Sequence, residues 1–98
     1  MIQNLHNQVS YDCSKLVTKS YSSSFSRAIL LFPLEIREAI YNIYGFVRFA
    51  DEIVDTFHDY PKKDLLDDFM NQYFDAKKKG ISLNPILHSF VQTVKKYD

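Results

Sequence analysis

Residues 34–58 read LEIREAIYNIYGFVRFADEIVDTFH, an unbroken run with no proline and one glycine, Gly45. Pro33 stands just before it, where a missing N–H costs nothing and the fixed φ suits a first helical turn. Asp59-Tyr60-Pro61 closes it, because a residue before proline is pushed out of the α region. A helix from Leu34 to His58 is therefore predicted, the longest element of the chain. At about 100° per residue, Tyr44, Arg48, Asp51 and Asp55 fall within a wedge of about 60°, with Tyr41 and Asp59 at its edge. Ile36, Ile43, Phe46, Val47, Ala50, Ile53, Val54 and Phe57 occupy a sector of roughly 120° on the other side, wider than a surface helix needs. This helix is expected to be largely buried.

The flanking segments read as helices too. Ile2, Leu5, Val9, Cys13 and Leu16 step by three or four, which predicts an amphipathic helix over residues 3–19. The serine-rich stretch 20–26 contains two aromatics and leads into Arg27-Ala28-Ile29-Leu30-Leu31, so it is read as a turn and a short helix rather than a linker. Lys62 to Lys79 forms a further helix with Leu65, Leu66, Phe69, Met70 and Tyr73 inward, and Gly80 is placed to end it. Asn84-Pro85 can cap a last helix running toward Tyr97. With no strand alternation and no internal repeat, the fold class is all-α.

Composition narrows the functions. At 98 residues and 11.5 kDa the chain is one domain or less, and surface scaling allows burial of roughly 65% of the unfolded surface, a feasible but thin core. Twelve Lys+Arg balance twelve Asp+Glu, which removes the uniform positive field that binding to nucleic acid or an anionic membrane by bulk charge requires. The longest apolar run, Ala28 to Phe32, is far below the roughly 20 residues of a membrane span. Met1 to Ser20 has polar and charged residues throughout and so lacks the apolar stretch of a secretory signal. A single Cys13 excludes an intrachain disulfide framework and reads as a small buried apolar residue, so a reducing, cytoplasmic location is expected.

Asp51 and Asp55, one helical turn apart, are like charges within about 6 Å, a repulsive pair that a divalent cation converts into a site. Mg²⁺ suits it, since this ion is usually held by one or two carboxylates together with substrate phosphates. The plainer reading is a solvated acidic face of Asp51, Glu52 and Asp55, with Arg48 in an i, i+3 ion pair.

The wider setting bears on that choice. Ser22-Ser23-Ser24-Phe25, then Leu31-Phe32-Pro33 with Arg37, then Tyr41-Asn42-Ile43-Tyr44-Gly45-Phe46-Val47-Arg48-Phe49-Ala50-Asp51-Glu52-Ile53-Val54-Asp55 resemble the N-terminal region of the squalene/phytoene synthase family. These enzymes join two prenyl diphosphates head to head, and the run from Phe46 to Glu52 is most similar to bacterial phytoene synthases. The resemblance implies an isoprenoid-synthase helical fold in which two aspartate-rich motifs face each other across an apolar channel, holding Mg²⁺, or Mn²⁺ in its place, and diphosphate. Asp51, Glu52 and Asp55 would be the first metal motif. Arg48 would hold diphosphate oxygens in a charge-assisted fork. Tyr44 would present its ring and hydroxyl to a carbocation or a diphosphate oxygen, or pack as a core tyrosine. Ser22 and Ser24 match family hydroxyls near a diphosphate, or cap a helix; Phe25 and Ile29 would line the prenyl channel, or fill the core.

The implied reaction is condensation of two geranylgeranyl diphosphates to phytoene. The alternatives are squalene or dehydrosqualene formation from farnesyl diphosphate, or a non-catalytic relative serving as an assembly or binding module. Prenyl diphosphates are then the partners, nucleic acid is not, and the apolar product implies peripheral contact with a membrane. Nothing after Asp55 resembles a second aspartate motif on a tyrosine-rich helix, and Asp64-Leu65-Leu66-Asp67-Asp68 sits on the wrong helix. The chain is thus read as the N-terminal portion of a synthase domain, inactive alone and prone to self-associate through the stripe from Ile36 to Phe57. His6, His58 and His88 read as ordinary surface or core histidines, and Lys77-Lys78-Lys79 as a solvated helix C-terminus.

Overall fold

A computed structural model describes residues 2–97, which form α1 (Ile2–Tyr21), α2 (Ser23–Ile29), α3 (Leu34–Asp55), α4 (Lys62–Lys79) and α5 (Pro85–Tyr97), with no strand among them. The all-α expectation holds, and the helix ends follow the local signals. Gly80 stops α4 with φ 81°, in the left-handed region where glycine pays no Cβ penalty. The Asn84 side chain accepts from the N–H groups of Ile86 and Leu87 at the start of α5. The long helix is shorter than predicted, ending at Asp55 rather than His58. Its last turn is taken over from outside, where Lys62 Nζ donates to the Val54 carbonyl at 2.7 Å.

α3 and α5 lie antiparallel at the centre, since Asn42 meets Thr93 while Phe46 stacks on Phe90 further along. On one side they pack against α4 through an aromatic core. Ile53, Phe69 and Leu87 are its buried centre, surrounded by Phe46, Phe49, Ala50, Phe57, Leu65, Leu66, Met70 and Tyr73. The Phe46 and Phe90 rings are 4.0 Å apart and nearly parallel, so the inward residues predicted for α4 meet their partners here.

On the other side α3 and α5 pack against α1, and here the sequence pattern misleads. The face of α1 turned inward is Ser10, Ser14 and Thr18, each 0% exposed, whereas Leu5 (65%), Val9 (47%) and Leu16 (65%) face outward and Cys13 is only half-buried. The Ile2 side chain of the predicted stripe lies outside the described residues. The inversion follows from helix spacing. A Cβ added to Gly45 of α3 would lie 3.2 Å from Ser14 Cβ and 3.3 Å from its Cα, so the helices approach closely enough that only small side chains fit between them. The seam is polar but largely satisfied. Ser14 and Ser89 hydroxyls share a hydrogen bond at 2.5 Å, Thr18 donates to the Ser14 carbonyl, and Asn42 donates to Thr93 Oγ1.

At the end of the seam two histidines tie the α4–α5 loop to α1. The Ser82 N–H donates to His88 Nδ1, so Nε2 carries the hydrogen and donates to Asn7 Oδ1 at 2.6 Å. His6 Nε2 donates to the Ser82 carbonyl at 2.8 Å, and the two rings lie 4.0 Å apart. Burial first, and the adjacent His6 second, hold His88 below the ordinary imidazole range.

Only Tyr41, Asn42, Gly45 and Ile53 of α3 are buried, so the expectation of a largely buried long helix is overturned. Its buried strip faces α1 and α5, and the opposite strip, with Ile36, Ile43, Val47 and Val54, meets solvent because no described helix packs there. No helix among the described residues is long and apolar enough to cross a membrane.

Two tests follow from the seam and its latch. Gly45→Leu forces a bulky side chain into backbone and is expected to cost about 2 kcal/mol or more, lowering Tm by roughly 10 °C for a chain of this size, as read by thermal unfolding followed by circular dichroism. Because folded His88 resists a proton that the unfolded chain accepts near pH 6.5, stability should be full above that pH and fall as the pH drops below it. Urea midpoints at pH 7.5 and 5.5 should differ for the parent and converge in His88→Gln.

Candidate functional site

The site begins with the helical repeat. Asp51 and Asp55 occupy successive turns of α3 and are both exposed, and among the described residues neither carboxylate takes part in a hydrogen bond or ion pair. Around the helix from them, on the strip that no neighbour covers, lie Ile43, Val47 and Val54, each 45–49% exposed. Two free carboxylates therefore adjoin a continuous apolar strip.

Glu52 does not join them. One residue on, it is turned about 100° round the helix, where it takes a 2.7 Å hydrogen bond from the Arg48 guanidinium. The Thr56 hydroxyl first, then Arg48, hold its carboxyl below the usual range. In this structure Glu52 is directed to Arg48 and away from the other two carboxylates of the expected metal motif. No group of three or more His, Cys, Asp or Glu able to hold a metal occurs among the described residues. The pair Asp51 and Asp55 still fits Mg²⁺, whose habit is one or two protein carboxylates with the remaining positions left to water and phosphate oxygens.

Arg48 is the most constrained charged group of this region. It pairs with Glu52 at i, i+4 rather than with Asp51 at i, i+3, its Cζ sits 4.6 Å from the Tyr21 ring centroid, and its Nε is buried with no hydrogen-bond partner. Sequence reasoning missed Tyr21 altogether. It belongs to the serine-rich stretch, and only the fold carries the end of α1 across to α3.

Tyr44 is half-buried and stacks on Phe25 at 4.9 Å between centroids. That contact fixes α2 against α3 and leaves the Phe25 ring 38% exposed beside the site. Ser22 is the N-cap of α2, its hydroxyl accepting from the Phe25 N–H at 3.1 Å, while Ser24 is exposed. Of the two readings open for Ser22, capping is the one the geometry displays. Ile29 is 1% exposed, so of its two readings the core one is what this structure displays. Arg37 closes the α2–α3 turn, donating through Nε to the Phe32 carbonyl and through Nη2 to the Leu30 carbonyl.

A cleft of about 380 Å³ opens on the Glu52 side, with Phe49, Ile53, Phe57, Leu65 and Phe69 as its apolar floor and Tyr21, Glu52 and Asp68 at its polar margin. It is separated from Asp51 and Asp55 by the shoulder of α3.

With this geometry in hand, comparison with known proteins is informative. The squalene/phytoene synthase family model matches residues 18–98, which include every candidate site residue. No curated protein and no solved structure gives a significant match.

Ser22→Ala removes the cap that starts α2 and should lower stability by about 1 kcal/mol, measured as a shift of the urea midpoint at unchanged m-value.

Proposed function

Because this chain belongs to the squalene/phytoene synthase family, we propose that it supplies the first aspartate motif of a phytoene synthase-like prenyltransferase that condenses two geranylgeranyl diphosphates head to head. The observation that carries this reading is the exposed strip of α3, where the unpaired carboxylates of Asp51 and Asp55 adjoin Ile43, Val47 and Val54. A prenyl diphosphate has the same division, a polyanionic head that needs cations and a long apolar tail that needs a water-free wall.

In this reading Asp51 and Asp55 hold Mg²⁺, which when bound supplies Lewis acidity toward the departing diphosphate. Arg48, charged at all relevant pH, donates N–H groups to diphosphate oxygens as negative charge accumulates on them during C–O cleavage. Glu52 keeps that guanidinium pointed along the helix, and the low pKa of its carboxyl means it stays ionised while doing so. The Tyr44 ring, braced by Phe25, stands one turn from Arg48 and two from Asp51, where its π-face favours positive charge on the allylic fragment. Val47 and Val54 offer the apolar tail a surface beside the carboxylates. The second aspartate motif, which the family reaction requires for the other half of the metal site, is supplied from outside these 98 residues.

In a polypeptide that joins these helices to a second aspartate-rich helix, Asp51→Asn or Asp55→Asn should reduce Mg²⁺-dependent prenyl transfer by at least about 100-fold, since each removes a ligand worth several kcal/mol in the transition state, with an unchanged circular dichroism spectrum. The 98-residue chain incubated alone with geranylgeranyl diphosphate and Mg²⁺ should give no condensation product. Near-normal turnover by both variants would remove these aspartates from the metal site.

A further inference from the structure

We infer that Tyr21 is a positioning residue for Arg48, holding its guanidinium by ring stacking in the orientation that receives a diphosphate. This inference rests on the reading of Arg48 as a diphosphate ligand and extends it to a residue in a different helix.

The argument starts from the freedom of an arginine side chain. Four rotatable bonds let the guanidinium of an exposed arginine sample many positions, so a useful anion ligand must have its rotamer fixed before the anion arrives. Glu52 fixes one edge of the Arg48 fork through a single 2.7 Å contact, but one carboxylate contact leaves the plane of the fork free to swing. Tyr21 restricts that swing, with Arg48 Cζ 4.6 Å from its ring centroid, well within the distance at which a cation is attracted to an aromatic face. A guanidinium held against an aromatic face loses much of its freedom to swing. The buried Nε, with no hydrogen-bond partner, shows that Glu52 does not saturate the fork.

Tyr21 itself is well placed to serve as a support. It is the last residue of α1, and the next residue, Ser22, is locked as the N-cap of α2. Its phenol pKa is raised, first by partial desolvation and next by the hydrogen bond its hydroxyl makes to Glu52, so the ring stays neutral and its face remains attractive to a cation, while the hydroxyl offers the competing route to Arg48 that Tyr21→Phe tests. The α1–α2 junction thereby reaches the aspartate-bearing helix at two aromatic contacts, Tyr21 on Arg48 and Phe25 on Tyr44. Tyr21 is 47% exposed, and its described side-chain contacts are with Arg48 and Glu52.

The test uses the 98-residue chain, Mg²⁺ and inorganic diphosphate, with binding measured by isothermal titration calorimetry. Arg48→Met is expected to weaken binding by more than tenfold. Tyr21→Leu should weaken it about fivefold, as expected for loss of an exposed cation–π contact, and Tyr21→Phe, which keeps the ring, should restore binding to within about twofold of the parent. The Arg48 side-chain δ protons should move downfield in Tyr21→Leu but not in Tyr21→Phe, because only the first removes the ring current; a structural role alone would not sort the two variants this way. Thermal unfolding checks that each variant is folded. If Arg48→Met weakens binding but Tyr21→Leu matches the parent, the positioning role is overturned while the assignment of Arg48 stands. If Tyr21→Phe is as weak as Tyr21→Leu, the hydroxyl rather than stacking is responsible and the inference is again overturned. If Arg48→Met binds like the parent, or the parent binds no diphosphate, the functional reading of Arg48 fails and the inference fails with it.

Discussion

The close approach of α1 to α3 at Gly45 is the constraint on which the rest of the structure depends. With Ser14 Cα only 3.3 Å from where a Cβ on residue 45 would stand, the two helices meet almost backbone to backbone. That distance selects Ser10, Ser14 and Thr18 for the inner face of α1 and sets the seam in which Ser89 and Thr93 of α5 find their partners. A seam of small hydroxyl residues contributes less hydrophobic stabilisation than leucine packing would, but its hydrogen bonds are directional and fix the register of three helices at once. The aromatic core between α3, α4 and α5 supplies the complementary bulk.

Register is what gives the site its shape. Once Ser14 sits on Gly45, the end of α1 falls one turn further along α3, at Arg48, and Tyr21 meets the guanidinium. The same placement turns Tyr41 and Gly45 inward and leaves the strip of Asp51, Asp55, Val47 and Val54 toward solvent. The serine-rich segment then serves as a rigid corner: Ser22 caps α2, Arg37 closes the turn beyond it, and Phe25 braces Tyr44. Each contact is modest, yet together they fix Tyr44 on the face of α3 that also carries the aspartates.

The two carboxylates of the metal reading and the third one beside them illustrate how one residue of helical phase changes chemistry. Asp51 and Asp55 share a face, and among the described residues neither carboxylate is in a hydrogen bond or ion pair. Glu52, one residue on, spends its charge on Arg48 and keeps that arginine ordered. Acidic composition alone would group all three, whereas the α-helical repeat separates two exposed carboxylates from one paired with Arg48.

The sequence by itself determined the helix count, nearly every helix boundary and the placement of Asp51, Asp55, Arg48 and Tyr44 on one side of α3, because these depend on caps, prolines, glycines and a fixed 100° step that act within a few residues. It also carried the family resemblance, which the match over residues 18–98 bears out. Only the tertiary structure decided which face of α1 turns inward, that α3 is mostly exposed, that Ile29 belongs to the core and that Glu52 and Tyr21 engage Arg48. The apolar periodicity of α1 pointed to Leu5, Val9 and Leu16, but inter-helix distance prevailed over hydrophobicity: where backbones approach this closely the small residue is buried and the large one is turned away. Such distances arise from residues far apart in the chain, Ser14 with Gly45 and Ser89, and no local pattern encodes them.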